Sequence, residues 1–323
     1  MFSYFKSKGQ DAKAFTIAFY NLENLFDTTD DPSILDDDFT STGRLKWSQK
    51  RYHKKIKKLG EVIKQVGLEK SFHPPILLGV AEIENKAVLN DLVNSKNLKE
   101  FHYDYVHYNS PDERGIDVGL LYSKRFFELI DSEVYPLYVD NDEGKRDLTR
   151  DVLLVKGNLN GELVHVLVNH WPSRRGGAES TDYKRTKAAE LNRSIVKKIR
   201  EEIKNPKIII MGDFNDGPTT KNIKETLVQD DFYNPMESIY AKGNGSLKYK
   251  KDWLLFDQII FSKNFMEEKE NQHVFKYTEI FSKEFLKVFR GKKKGKPYRT
   301  FIGRWYQGGY SDHFPVFAYL KKN

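Results

Sequence analysis

The chain has 323 residues, 39% of them apolar and 14% aromatic, enough to bury a substantial core in one large domain or two modest ones. It contains no cysteine, which excludes disulfides, thiolate metal sites and thiol nucleophiles and leaves any chemistry to oxygen and nitrogen groups. Lys and Arg outnumber Asp and Glu by 54 to 46, giving a net charge of +8 and a pI near 9.1; that balance suits a polyanionic partner such as nucleic acid, and equally a Lys-rich solvated surface.

Residues 1–14 carry no apolar run of signal-peptide length and are expected to form a flexible N-terminal tail on a soluble, cytoplasmic chain. Apolar runs predict strands at 15–20 (FTIAFY), 76–81 (ILLGVA), 116–122, 151–159, 163–169, 207–211, 257–262 and 315–320. Between the first two, Tyr52, Ile56, Leu59, Ile63 and Val66 recur at helical spacing over 48–66, with Ser48 as N-cap and Gly67 as stop. A short helix is expected from Glu84, burying Val88, Leu89, Leu92 and Val93. A long one follows over 182–204, with Leu191, Ile195, Ile199 and Ile203 inward and Asn205-Pro206 ending it. The Asn160-Gly161 pair between two strand runs reads as a hairpin, so the sheets should be mixed. Helices this long among strands this numerous predict an α/β layered fold. No repeat, linker or composition break divides the chain, and no heptad seam suggests a partner helix, so a single domain (1–323) and a monomer are expected.

Polar groups collect where the apolar strands run out. Asn21, Glu23 and Asn24 follow the first; Glu82, Glu84 and Asn85 the second; Asn169, His170, Ser173, Arg174 and Arg175 the fifth; Asp213, Asn215 and Asp216 the sixth. Asp257 opens a strand, and Ser311, Asp312 and His313 precede the last. One such group alone is ordinary capping or turn chemistry. Six on one chain point to strand ends that share a sheet edge, where α/β proteins bind ligands. Carboxylates and amides without thiols suit a hard cation such as Mg²⁺, and histidines and arginines add proton transfer and phosphate contacts. Phosphate ester hydrolysis fits these parts. In IIIMGDFNDGP (208–218), Gly212 is read as allowing the turn, Phe214 as packing, Asp213 and Asn215 as sharing one side of an extended backbone, and Asp216 as a turn residue.

The ordered set NLEN, EIEN, RGIDVGLLY, NHWPS, GDFND, FDQII and SDHFPV, spanning Phe15 to Leu320, resembles the endonuclease/exonuclease/phosphatase superfamily, with its deoxyribonuclease-I-like and abasic-site endonucleases, sphingomyelinases and inositol-phosphate phosphatases. The resemblance implies a four-layer αββα sandwich with two packed mixed β-sheets. It implies that Glu82 is the principal Mg²⁺ carboxylate, with Asn21, Glu23 and Asp312 near the ion and Mn²⁺ or Ca²⁺ as substitutes. It implies that Asp213 orients or deprotonates the attacking water, that Asn215 holds that water or a phosphate oxygen, and that Asp257 orients His313 for phosphate binding or proton transfer. His170 resembles the second histidine of the deoxyribonuclease branch, placed to protonate the leaving oxygen, with Asp117 as the candidate carboxylate orienting it. Which histidine is acid and which binds phosphate stays open.

Arg114, Asn169, Ser173, Arg174 and Arg175 are candidate substrate contacts. Lys292, Lys293 and Lys294 lie in the basic segment KVFRGKKKGKPYR (287–299), which reads either as a phosphate-touching loop or as a solvated one. The expected activity is Mg²⁺-dependent phosphodiester hydrolysis of DNA or RNA, most readily as an endonuclease and without stable membrane insertion. The alternatives are inositol-phosphate or sphingomyelin-type head-group hydrolysis, or an inactive nucleic-acid-binding module.

Overall fold

Alternation along the buried strands gives each apolar run two partners. In the strand Lys207–Asp213, Ile208 and Ile210 face a helix, whereas Ile209 and Met211 join the core between two sheets. The same parity holds for Leu153 and Val155 against Val152 and Leu154, and for Ile259 and Phe261 against Ile260. A strand flanked on both faces must sit between layers, and that is the architecture of this computed structural model, which describes residues 14–323 except Asp142. Residues 1–13 lie outside the described residues, and with them all of the expected 1–14 tail except Ala14, which opens the first strand.

The chain forms twelve strands of two six-stranded sheets: β1 (Ala14–Leu25), β2 (Leu77–Ile83), β3 (Tyr103–His107), β4 (Asp117–Ser123), β5 (Phe127–Tyr135), β6 (Val152–Leu159), β7 (Glu162–His170), β8 (Lys207–Asp213), β9 (Phe232–Tyr233), β10 (Asp257–Ser262), β11 (His273–Ile280) and β12 (Val316–Lys322). One sheet runs β11-β12-β1-β2-β4-β3, the other β9-β10-β8-β7-β6-β5. Each is mixed, with one parallel pair at its centre, β1 with β2 and β8 with β7. The sheets meet closely: a Cβ built on Gly79 of β2 comes within 2.5 Å of Met211 Sδ on β8, so only a glycine leaves room there.

Helices α1 (Gln49–Gln65) and α2 (Lys86–Val93) pack with the first sheet and α3 (Asp182–Glu202) covers the second, giving four layers. Ser48 precedes α1 in extended conformation without making a side-chain cap, and Gly67 follows it at a φ of 76°. Asn85 does cap α2, its side chain accepting Val88 N at 3.0 Å. Asn160 and Gly161, both at positive φ, turn the β6–β7 hairpin.

The topology sets where polar groups converge. Strands β1, β2, β7 and β8 end at one edge of the sandwich, and β4, β10 and β12 start there. In register, Asp213 lies opposite both His170 and Asp257, and Ile83 opposite Asp117.

Candidate active site

Asp213 is the hub of that edge. Its Oδ2 accepts a 3.0 Å hydrogen bond from Asn21 Nδ2 and lies 3.9 Å from both His170 Nε2 and His313 Nε2; its Oδ1 accepts the Asn215 amide at 2.9 Å. Burial and the nearby Asp257 push the Asp213 carboxyl up to about 6, against the pull of His313, the Asn215 amide and Asn21. Gly212 just before it is not at a turn. A side chain there would strike the Asn169 backbone, its Cβ 2.3 Å from the carbonyl oxygen, so glycine is needed for close strand packing.

The two histidines differ in charge. Burial favours neutral His313, yet Asp257, Asp213 and Asp312 outweigh it and hold the imidazole well above its ordinary pKa. Its Nδ1 is 2.6 Å from Asp257 Oδ2, which also accepts the Ser246 hydroxyl. His170 is driven well below the ordinary range, by burial first and then by Arg150, Arg114 and His313. Arg150, itself buried and paired with Asp112 at 2.9 Å, donates to the His170 and Trp171 carbonyls and so fixes the end of β7. His170 is therefore neutral and His313 charged at neutral pH.

The carboxylate expected to orient His170 is elsewhere. Asp117 accepts His107 Nε2 at 2.9 Å and the Ser110 amide, because the start of β4 turns its side chain toward β3 and the loop after it; among the described residues His170 Nδ1 has no hydrogen-bond partner. Asn169 is also misplaced as a substrate contact. Strand alternation turns it away from His170's side, fully buried, where its Oδ1 accepts Trp171 Nε1 and Asn192 Nδ2 of α3. Asn215 sits at a φ of 48°, not on extended backbone, and its Nδ2 donates to the Trp171 carbonyl at 3.0 Å. Phe214 packs edge-on against Trp171, as read.

On the other side of Asn21, the acidic residues are unequally free. Glu82, at a φ of 60°, accepts the Asn24 amide at 2.9 Å through Oε2, and its Oε1 has only the Arg114 guanidinium at 3.9 Å. Register shifts in β1 and β2 and left-handed Glu23, Asn24 and Glu82 re-aim these side chains, the kind of strain that concentrates at functional sites. Glu23 is occupied: Arg299 Nε binds Oε1 at 2.9 Å, the Thr300 amide binds Oε2 at 2.6 Å, and the buried Lys55 ammonium takes its carbonyl. Burial and Asp312 push its carboxyl up to about 7. Arg299 also pairs with Asp312 at 2.9 Å, bridging two carboxylates expected at the metal.

Arg114 thus stands at the edge. Arg174 does not stand free: it donates to the Asn215 carbonyl at 2.7 Å and pairs with buried Asp216, which also meets Arg185. Ser173, Arg175, Lys292, Lys293 and Lys294 are exposed loop residues. Sequence reasoning missed Ser246, Arg150, Lys55 and Arg299. Of these, only Arg299, in the basic segment just before SDHF, had a signal to find.

The donor types suit a hard divalent cation: Glu82 and Asp312, both near enough to Arg299 and Lys55 to act on their charges, and Asn21 offer oxygens, with no sulfur among them. Asp213, Asp257 and His313 also offer atoms within 4.8 Å of one another. There, however, Asp257 Oδ2 is already shared by Ser246 and a charged histidine, which suits a hydrogen-bond chain better than a metal.

A buried carboxylate between two histidines thus stands at the edge of an αββα sandwich, an arrangement with the groups that phosphoester hydrolysis needs. A family model described as Endonuclease/Exonuclease/phosphatase family matches residues 16–322, and the chain belongs to that family, whose enzymes hydrolyse phosphoesters and are generally dependent on divalent metals. No curated protein matches the sequence. Among solved structures it is similar to humanized D. rerio TDP2 (TM-score 0.59, 13% identity, covering 96% of this chain and 99% of that one). It is also similar to D. rerio TDP2 complexed with single strand DNA product (TM-score 0.56, 13%, 96% and 99%). A third is the Bacteroides thetaiotaomicron VPI-5482 mannosyl-6-phosphatase (TM-score 0.55, 16%, 95% and 99%). Among the described residues, no helix is long and apolar enough to cross a membrane.

Proposed function

We propose that the protein is a Mg²⁺-dependent phosphodiesterase that cleaves nucleic-acid strands, acting as a monomer. The observation that carries the reading is Asp213 Oδ2, 3.9 Å from the Nε2 atoms of one neutral and one charged histidine. Above pH 6 the Asp213 carboxylate is ionised, and its Oδ2 takes the proton of a water aimed in line at phosphorus. Asn21 and the Asn215 amide hold both its oxygens in place. His313, kept charged by Asp257, neutralises the phosphate and is the imidazole with a proton to give to the departing oxygen; the neutral His170 serves as a hydrogen-bond partner. A divalent cation held by Glu82, Asn21 and Asp312 would add charge neutralisation at the scissile phosphate.

Among the described residues the lysines of the 287–297 segment other than Lys287 have no carboxylate partner, and they and the single-strand DNA carried by one structural neighbour favour a polynucleotide. A phosphatase reading is supported by the neighbour that acts as a mannosyl-6-phosphatase. Purified protein with Mg²⁺ or Mn²⁺ should nick plasmid DNA or shorten single-stranded DNA or RNA. Intact nucleic acid alongside phosphate release from sugar or inositol phosphates would reverse the substrate while keeping the chemistry. Salt-sensitive DNA binding without turnover of any phosphoester would leave a binding module.

A further inference from the structure

The catalytic edge continues into a second concavity. Residues 287–297 close on themselves, Val288 N donating to Lys296 O and Gly295 N to Val288 O, both at 2.8 Å, so the basic segment is a hydrogen-bonded hairpin. Beside it lies a cavity of about 390 Å³ whose lining includes Lys248, Arg290, Lys292, Lys293, Lys296 and Arg299, together with Asp312. Among the described residues, the first five of these cations have no carboxylate partner, whereas nearby Lys283 and Lys287 pair with Glu69 and Glu284. Asp312 offers them little, because Arg299 already holds it at 2.9 Å. Five uncompensated cations around one concave space raise a positive potential that an anion would relieve. Arg299 is the post shared by both sites: one side touches Glu23 and Asp312, the other faces the cavity. Lys294 points elsewhere, lining a separate groove with Phe289 and Trp253.

We propose that this cavity binds a second phosphate group of the substrate, next to the scissile one on the Asp312 side. The inference rests on the catalytic reading above and narrows its substrate to molecules with at least two phosphates. Lysines supply point charges and Arg290 a forked donor, a combination suited to a phosphate of variable orientation. The second phosphate can be the next phosphodiester of a strand or a second phosphate on a small molecule.

The test compares wild type with the Lys292→Ala/Lys293→Ala double variant on two pairs of probes with Mg²⁺. One pair is dithymidylate with and without a terminal phosphate, the other a hexose bisphosphate and a hexose monophosphate. Wild type is expected to favour the extra phosphate about tenfold in kcat/KM, a preference the double variant loses, with a salt dependence shallower by about one to two units of slope. Preference within the dinucleotide pair identifies a neighbouring phosphodiester. Preference within the hexose pair, with no dinucleotide cleavage, keeps the cavity and removes the nuclease reading. Equal turnover within every pair that is turned over, by both proteins, overturns the cavity and leaves the catalytic reading intact. If no probe is turned over, calorimetry with inorganic pyrophosphate in EDTA decides: binding about tenfold weaker in the variant supports the site, and equal or absent binding refutes it.

Discussion

Asp257→Asn isolates the pair on which His313 depends. The Asp257 carboxylate is fully buried, and its Oδ2 meets His313 Nδ1 at 2.6 Å and the Ser246 hydroxyl. The substitution keeps the shape and removes the charge, leaving an imidazole in the interior without its anion. Breaking one side of a buried ion pair costs about 3–5 kcal/mol. With an unfolding entropy of about 2.1 cal/mol/K per residue, 323 residues give roughly 0.7 kcal/mol/K, so Tm should fall by about 4–7 °C.

The pH dependence has a definite sign. In wild type the folded-state pKa of His313 lies above the unfolded value of about 6.5, so its stabilisation is complete below that value and fades as pH rises through the folded pKa. In the variant the Asp257 anion no longer supports the charged imidazole, so the folded pKa falls and the stabilisation that wild type gains as pH drops from about 7.5 toward about 6.5 shrinks, Asp213 and Asp312 alone opposing the burial. The Tm difference should widen between pH 7.5 and pH 5 in scanning calorimetry. A gap below about 1 °C, or one that narrows toward pH 5, would show that the two side chains do not form this pair.

Other perturbations probe separate parts. Burial pushes the Glu84 carboxyl up to about 8, with Asp27, Asp36 and Asp31 adding to the rise; its stabilising protonated state is lost as pH climbs from about 4.5 to 8. Glu84→Gln should therefore stabilise by about 1–2 kcal/mol at pH 8 and little at pH 5 by urea unfolding; equal effects at both would contradict this. Arg174→Ala should cost about 1.5–3 kcal/mol by leaving buried Asp216 with Arg185 and the Asn222 side-chain amide, its Oδ1 unpaired, and a neutral outcome would return Arg174 to the role of substrate clamp. Gly79→Val should destabilise by about 1–3 kcal/mol through its clash with Met211 and Phe19, partly recovered by also replacing Met211 with Ala.

The central strands were legible because burial on both faces makes them continuously apolar, and all eight predicted runs are strands of the two sheets. The four strands that escaped, β3, β5, β9 and β11, are the outer strands of the two sheets. Being half-solvated, sequences such as FELIDSEVY and HVFKYTEI lose the apolar signal. In the site, Asp213, His170, Asp257 and His313 converge because strand order and register place them on one edge. Asn169 failed by parity alone, one residue from a correct neighbour. Asp117 failed because its partner His107 lies on an unread outer strand, and the basic segment marked Arg299 only as a cation, without announcing its contact with Glu23, far away in sequence.

The central claim is that Asp213 receives the proton of the attacking water in a metal-dependent phosphoester hydrolysis. Single-turnover cleavage of a single-stranded DNA oligonucleotide with saturating Mg²⁺ tests it in wild type and Asp213→Asn, with calorimetric Mg²⁺ binding measured on both. The expected result is a rate about 10²–10⁴ lower in the variant with Mg²⁺ affinity little changed, and no wild-type cleavage in EDTA. A variant that cleaves within a few-fold of wild type would contradict the claim.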